Sequence, residues 1–293
     1  MARDLIDAFP VARRTFEEAD AALGTALTRL CLEGPEEILR LTEHAQPAIL
    51  TASVATYRVL AEPGFRPVAM AGHSLGEWSA LVAAGAIGLA DAVVAVRERG
   101  RLMQEAVPPG EGAMAAILGL EAADVAVLCA EAAGGDVLVP ANLNGAGQVV
   151  VAGHARAVDR IVALAGERRA RAQRLAVSAP FHCGLMAPAA EGLARHLERV
   201  TFHDPTLPIV TSVDARPIAG AQEIPELLVR QVTAPVRWEE TVKALAALGA
   251  TVALETGPGR VLTGLLRRSV PEVAGIAAGD TDGIARAREA LAG

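Results

Sequence analysis

The sequence has few aromatic residues, few cysteines and no excess of basic charge, and each shortage narrows the possible functions. Phe, Trp and Tyr make up 3% of the 293 residues although 52% are hydrophobic, so a core of Ala, Val and Leu is expected. The formal net charge of −7 argues against nucleic-acid binding, because phosphate recognition requires a basic field. Cys31, Cys129 and Cys183 are widely spaced and match neither a disulfide framework nor a metal-ligand pattern. This favours a reducing compartment.

The sequence also contains no recognisable targeting or membrane segment. The N-terminus MARDLIDAFP carries acidic residues and no apolar stretch of the signal-peptide type. The uncharged runs are interrupted by Gly, Pro and Asn, so we expect no transmembrane helix. We therefore predict a cytoplasmic protein with no membrane association.

The segment GHSLGE at 72–77 lies between two different patterns. RPVAMA before it predicts a strand, and EWSALVAAGAI after it predicts a helix. A strand, a tight turn and a helix with Ser74 between glycines are typical of a nucleophile elbow. We expect Gly72 and Gly76 both to be required, because side chains would clash in the turn. The N–H of Leu75 would lie at the helix start, where it can stabilise an oxyanion.

The order of predicted elements indicates an α/β protein with an inserted unit. Residues 1–24 are predicted to be helical, and another helix is predicted to start after Pro47. From Gly112 the pattern predicts a β-α-β-β-α-β order, which ends with a strand in AQRLAVSAP and is typical of a ferredoxin-like arrangement. We therefore predict a ferredoxin-like small subdomain at 112–178 within a core formed by 1–111 and 179–293.

A serine nucleophile needs a base, and His182 is the candidate. It lies in SAPFHCGLM, just after the last strand of the inserted unit, and Pro180 and Phe181 give it a rigid, apolar approach. The alternative is a histidine at a helix start that is bonded to backbone. His73 adjoins Ser74, but the elbow would point its side chain away.

Arg99 is predicted to lie on the apolar face of a helix. Val96 and Met103 share this face at spacings of three and four residues, whereas Arg97 and Arg101 lie off it. A cation on an inward face needs a partner. This partner is either a structural carboxylate or a substrate carboxylate held by the guanidinium.

These motifs resemble a known family in the same order over almost the whole chain. The resemblance is to malonyl-CoA:acyl carrier protein transacylases of fatty acid synthesis and to the related acyltransferase domains of polyketide synthases. The segments that carry it are QPAILTASVA, AGHSLGEWSALVAAGAI, RERGRLMQEAV, GAMAAILGL, NLNGAGQVVVAG, APFHCGLM, LVRQVTAPVRW and ETGPGRVLTGLLRR.

The resemblance implies an α/β-hydrolase-like core with a parallel sheet and a malonyl transfer from malonyl-CoA to acyl carrier protein. Ser74 would accept the acyl group, His182 would be its base, and Arg99 would bind the free carboxylate of malonyl. No metal or redox cofactor is implied, since CoA is a co-substrate.

Three more residues receive roles from the resemblance. The N–H of Leu75 would be one oxyanion donor, and Gln231 would occupy the position whose main-chain carbonyl orients the histidine. Phe181 would favour malonyl over bulkier α-substituted extenders.

The family's usual first segment is not found before Met1. Relatives begin with an apolar strand and an FPGQGSQ-type loop that supplies a second oxyanion donor. We therefore expect an unpaired strand edge in the core and a weaker oxyanion site. A late start-codon assignment, a truncated chain and an impaired variant are the three explanations.

Two other functions stay open on the sequence. A serine hydrolase or thioesterase would need an acidic residue between the serine and a late histidine. A non-catalytic scaffold could derive from a transacylase that lost its first strand. The sequence does not distinguish fatty acid from polyketide synthesis, and it does not identify the carrier protein or the oligomeric state.

Overall fold

The computed structural model describes residues 1–292, a mixed α/β chain with fourteen α-helices and eight strands in that range. The first part contains α1 (Arg3–Ala8), α2 (Pro10–Leu23), α3 (Leu27–Glu33), α4 (Glu36–Leu39), α5 (Thr42–Ala61), β1 (Met70–Ala71), α6 (Leu75–Ala83) and α7 (Leu89–Glu105). The inserted unit contains β2 (Gly112–Leu118), α8 (Ala122–Ala133), β3 (Leu138–Leu143), β4 (Gln148–His154), α9 (Ala155–Glu167) and β5 (Arg171–Arg174). The last part contains α10 (Ala187–Leu197), β6 (Ile209–Val210), α11 (Ile224–Thr233), α12 (Trp238–Ala247), β7 (Val252–Glu255), α13 (Val261–Ser269), β8 (Ala274–Ala277) and α14 (Thr281–Ala292).

Two helix boundaries differ from the sequence prediction, and both involve proline. The helix predicted over 1–24 is divided, because Phe9 is extended and Pro10 starts α2 at the position where proline is best tolerated. The helix predicted to start after Pro47 begins at Thr42. Pro47 lies in its second turn, where the missing N–H removes a single backbone bond near the helix start.

The inserted unit is a four-stranded antiparallel sheet in the order β3-β4-β2-β5. β2 pairs with β4 along its whole length and with β5 on its other side. All elements of the predicted β-α-β-β-α-β order are present, but the last strand ends at Arg174 rather than near Pro180. Leu175 donates one further bond to Met114, and the chain then leaves the sheet.

The two faces of β2 have different partners because side chains alternate along a strand. Ala115 and Ile117 are buried in the apolar cluster under α8 and α9. Met114 lies on the opposite face, in a cluster with Phe181 and Cys183. The inserted sheet therefore forms an apolar wall beside the segment that carries His182.

The core contains two parallel strand pairs rather than the one parallel sheet predicted. β1 pairs with β6, and β7 pairs with β8. A cavity of about 470 Å³ lies between the pairs and is lined by Met70, Ala71 and all of β7. Within residues 1–292, β1 and β7 each have a single strand neighbour. Each therefore has one edge without a strand partner, in agreement with the unpaired core edge that the sequence analysis predicts.

The largest apolar cluster joins the N-terminal helices to α6, α7, α10 and α11. Helices α5 and α7 pack closely, so the inner face of α7 is buried at Val96, Arg99 and Met103. The predicted inward position of Arg99 is confirmed, with 2% of the residue exposed. None of the helices within residues 1–292 has both the length and the apolar character needed to cross a bilayer.

Candidate active site

The chain makes a tight turn between β1 and α6, with Ser74 at its apex. Ser74 has φ 51° and ψ −105°, a backbone conformation that is strained for a residue with a side chain. A Cβ on Gly72 would lie 1.8 Å from the backbone carbon of Gly76, so only glycine fits there. A Cβ on Gly76 would meet no heavy atom within 4 Å outside its own helix. The prediction that both glycines are required is therefore correct for Gly72 and wrong for Gly76.

The ring of His182 connects Ser74 to the end of α11. Nε2 lies 2.8 Å from Ser74 Oγ, and Nδ1 lies 2.8 Å from the carbonyl oxygen of Gln231 and 3.2 Å from that of Ala234. Because carbonyls only accept hydrogen bonds, Nδ1 carries the proton and Nε2 is free to accept the serine proton. Burial, assisted by the charge of Arg99, lowers the pKa of His182 to about 3, so the ring is neutral at physiological pH.

The loop that carries His182 is constrained on both sides. His182 itself has φ 59°, which places a second non-glycine residue of this site in the left-handed region. Phe181 is half-buried against the wall formed by the inserted sheet, and the Cys183 thiol donates to the carbonyl oxygen of Pro180 at 3.0 Å. Backbone carbonyls bind one nitrogen of the ring, and the other nitrogen faces Ser74.

Arg99 extends from α7 to the same serine. Its Nη2 donates to Ser74 Oγ and to Gln231 Oε1, both at 3.0 Å, and its Nη1 donates to Gln46 Oε1 at 2.6 Å. All three acceptors are uncharged, and none of the ion pairs among residues 1–292 includes Arg99. Burial lowers the pKa of Arg99 to about 10, which leaves the guanidinium charged at neutral pH. No carboxylate of the described residues therefore contacts Arg99 directly, which leaves the guanidinium suited to an anionic ligand.

Leu75 directly follows the nucleophile candidate and begins α6. Its N–H is not used by any backbone carbonyl among residues 1–292. The N-terminus of a helix carries partial positive charge, so this N–H is available to a negative charge that develops beside Ser74.

A buried carboxylate that the sequence analysis did not single out lies behind these residues. Oε2 of Glu77 accepts from the Ser212 N–H at 3.0 Å, from the Ser212 hydroxyl at 2.8 Å and from Gln231 Nε2 at 2.8 Å. Burial raises the pKa of Glu77, and these hydrogen bonds oppose the rise. The carboxylate thereby joins the elbow helix to the end of β6 and to α11.

Two of the residues missed had usable signals in the sequence. Glu77 follows Ser74 by three residues, so both lie on neighbouring positions of one helix surface. Gln46 directly precedes the helix predicted to start after Pro47, in the matched segment QPAILTASVA. Ser212 has no comparable signal, because it follows a strand of only two residues.

His73 points away from Ser74, as predicted. Its Nε2 lies 3.0 Å from Asn144 Oδ1, and its ring centroid lies 5.5 Å from that of Trp238. Burial lowers the pKa of His73. This contact ties the elbow to the turn between β3 and β4 of the inserted unit.

Comparison with known proteins finds acyltransferases both by sequence and by structure. Residues 1–287 match the family model of the acyl transferase domain. The malonyl CoA-acyl carrier protein transacylase of Escherichia coli (strain K12) is 49% identical over 291 residues, or 99% of this chain and 94% of that protein. The solved malonyl CoA-acyl carrier protein transacylase of Coxiella burnetii is 42% identical with a TM-score of 0.97, covering 99% of this chain and 93% of that one. A malonyl-transacylase solved in complex with its type II polyketide synthase acyl-carrier protein is 48% identical with a TM-score of 0.96, covering 99% and 94%.

Proposed function

The chain belongs to the acyl transferase domain family, and we propose that it moves malonyl from malonyl-CoA to the phosphopantetheine thiol of an acyl carrier protein. One observation carries the proposal: a single serine contacts both a neutral histidine and a buried arginine that has no carboxylate partner. The first contact supplies a nucleophile, and the second supplies a site for an acyl group with a free carboxylate. The names of relatives that cover nearly the whole chain support the same reaction.

In the first half-reaction Ser74 becomes acylated. Nε2 of His182 takes the hydroxyl proton while Oγ attacks the thioester carbonyl of malonyl-CoA. The Leu75 N–H donates to the oxyanion that forms on that carbonyl. The carbon–sulfur bond then breaks, the imidazolium returns its proton to the CoA sulfur, and a malonyl ester of Ser74 is left.

In the second half-reaction the carrier protein removes the malonyl group. The phosphopantetheine thiol gives its proton to His182, and its sulfur attacks the ester carbonyl. The bond between carbon and Ser74 Oγ breaks, and His182 returns the proton to the serine. Because one product leaves before the second substrate enters, the kinetics are ping-pong.

Arg99 and its neighbours determine which acyl group is accepted. The guanidinium pairs with the distal carboxylate of malonyl, a group that acetyl-CoA does not have. Gln46 and Gln231 hold the guanidinium through amide oxygens, which a substrate carboxylate can join or displace without meeting a like charge. To the half-buried Phe181, which directly precedes His182, we assign the preference for malonyl over bulkier α-substituted groups.

The same proposal assigns the fold in finer terms. Residues 1–111 and 179–293 form an α/β-hydrolase-like core, and residues 112–178 form a ferredoxin-like subdomain. The turn at Ser74 and the strand order β3-β4-β2-β5 support these assignments. We place the protein in the cytoplasm, in keeping with three free, buried cysteines. The proposed chemistry uses no metal or redox group.

Hydrolysis is the competing use of the same serine. His182 Nδ1 is bonded to backbone carbonyls and not to the carboxylate that a hydrolase triad of this fold would supply. This difference favours transfer to a thiol.

Intact-protein mass spectrometry after mixing with malonyl-CoA tests the proposal, with Ser74→Ala as the matched variant. We expect a single malonyl adduct on the wild-type protein and none on the variant. A folded wild-type protein that acquires no adduct would contradict the proposal and favour the alternative of a non-catalytic scaffold protein. Rapid release of malonate in the absence of carrier protein would favour the hydrolase.

A further inference from the structure

Glu77 lies at the centre of the buried hydrogen bonds behind the reacting residues, yet no step of the proposed reaction uses it. The residue is 0% exposed and lies in the first turn of α6, three residues after Ser74. A carboxylate at full burial is costly unless it is bonded, and all three of its donors converge on one oxygen, Oε2. Because the Glu77 carboxylate is costly to bury and lies close to the nucleophile, we expect it to contribute to the site.

Gln231 connects Glu77 to both reacting side chains. Its Nε2 donates to Glu77 Oε2 at 2.8 Å, and its Oε1 accepts from Arg99 Nη2 at 3.0 Å. Its main-chain carbonyl accepts from His182 Nδ1 at 2.8 Å. The end of one helix therefore holds the base through the backbone and the arginine through the side chain.

The orientation of the Gln231 amide determines whether its oxygen or its NH₂ group faces the Arg99 guanidinium. Rotating a side-chain amide by half a turn exchanges its oxygen and nitrogen with almost no change in shape. In the rotated form an NH₂ group would face the guanidinium, and both would be donors. Because Glu77 Oε2 accepts hydrogen bonds, it holds the NH₂ end toward itself and leaves the oxygen for Arg99.

Glu77 also carries the negative charge that acts on the pKa of Arg99. Burial lowers the pKa of the guanidinium, and the charge of Glu77 acts against that decrease. The amide of Gln231 lies between the two groups, so the carboxylate balances the charge without occupying the guanidinium. A carboxylate in direct contact would compete with the carboxylate of a substrate.

We propose that Glu77 is a positioning residue for acyl groups that carry a carboxylate. Through Gln231 it orients Arg99 and balances its charge, while the guanidinium stays open to the substrate. The inference rests on the proposed function of Arg99 and adds to it a reason for a glutamate one turn after the nucleophile.

The variant Glu77→Gln tests this inference because it removes the charge and can present an NH₂ group to Gln231. Two rates at Ser74 are compared: acylation by malonyl-CoA and sulfonylation by phenylmethylsulfonyl fluoride, which has no carboxylate. We expect the malonyl rate to fall by about 10- to 100-fold and the sulfonylation rate to change by less than about 3-fold. Glu98→Gln is the matched control, since Glu98 is a neighbour of Arg99 in sequence but pairs with Arg101 outside the site. It should leave both rates unchanged.

A double-mutant cycle separates positioning from a general structural effect. If Glu77 acts through Arg99, Glu77→Gln should cost nothing further in the Arg99→Ala background. Equal losses of both rates, full additivity with Arg99→Ala, or an unchanged malonyl rate would each overturn the inference.

Ser212→Ala decides the question if Glu77→Gln does not fold. It keeps the carboxylate and removes one donor to Oε2, so a smaller malonyl-specific loss of about 3-fold is expected. Equal effects on the two rates, or no effect, would overturn the inference. A wild-type protein that malonyl-CoA does not acylate is a failure of the proposed function, and it is seen before any variant is compared.

Discussion

The inserted sheet and the strand pairs of the core differ in how completely their backbones are paired. In the inserted unit, β2 has a strand neighbour on each side and two helices on one face. In the core, β1 and β7 each have one neighbour and face a cavity. Ser74 and His182 both belong to the less regular region, and both have positive φ. Regular strand pairing therefore belongs to the inserted sheet, whereas the irregular turns at strand and helix ends of the core carry the candidate serine and histidine.

The largest expected effect comes from truncating Arg99 in the core. Arg99→Ala should lower malonyl transfer by about 10³-fold, since a buried charge-assisted pair with the substrate is lost. Acetyl transfer should decrease far less, because acetyl has no carboxylate to pair. Arg101→Ala is the control, since Arg101 lies on the same helix and pairs with Glu98 and Glu105 at the surface. Equal losses of malonyl and acetyl transfer would contradict the role given to Arg99.

A truncation in the inserted unit should affect stability instead of chemistry. Ile161 is 0% exposed in the apolar cluster under α8 and α9, so Ile161→Ala should lower the free energy of unfolding by about 3 kcal/mol. Urea denaturation measures this loss, and Val127→Ala at a 57% exposed position is the control. The rate of Ser74 acylation per folded molecule should be unchanged. A large fall in that rate would mean that the two regions are not separable.

The buried histidine of the core should make stability depend on pH. An unfolded histidine binds a proton near pH 6.5, whereas the pKa of His182 in the folded protein is about 3. Between these values the unfolded state binds more protons, so stability decreases as the pH falls. From pH 7 to pH 5 the wild-type protein should lose about 2 kcal/mol more than His182→Gln. Glu77 and the other carboxyl groups are present in both proteins, so their contribution to the pH dependence cancels in the comparison. Parallel losses in the two proteins, measured by urea denaturation, would contradict the buried neutral ring.

The smallest effect concerns the open strand edges. Backbone amides of β7 that face the cavity have no strand partner on that side within residues 1–292, whereas β2 has strand partners on both sides from Ala115 to Leu118. Averaged over the backbone amides of each strand, hydrogen exchange should therefore be at least about tenfold faster in β7 than in β2. Equal protection in the two strands would show that the core edges are closed in solution.

Local signals were enough to predict the turn at Ser74 and the inward position of Arg99, and distant contacts account for what was missed. The elbow at Ser74 is a contiguous pattern, and the inward position of Arg99 follows from helical periodicity. Glu77, in contrast, contacts Ser212 and Gln231 across 135 and 154 residues of sequence, and no local pattern encodes such contacts.

The fold was predictable to a similar extent. The inserted unit has strands long enough to alternate visibly, and its element order was predicted correctly. The strands β1 and β6 have two residues each, which is too short for any period, so the division of the core into two pairs was not foreseen. Helix α5 starts at Thr42 and not after Pro47 as predicted, because a proline near a helix start is tolerated.

The central claim is that Ser74 passes a malonyl group to a carrier thiol, and a chase of the isolated acyl-enzyme tests it most directly. The protein is acylated with malonyl-CoA, freed of CoA and mixed with acyl carrier protein bearing phosphopantetheine, and both masses are followed. We predict that the enzyme loses its malonyl group while the carrier gains one, and that carrier lacking phosphopantetheine leaves the acyl-enzyme intact. Loss of malonyl as free malonate, at the same rate with and without the carrier thiol, would contradict the account.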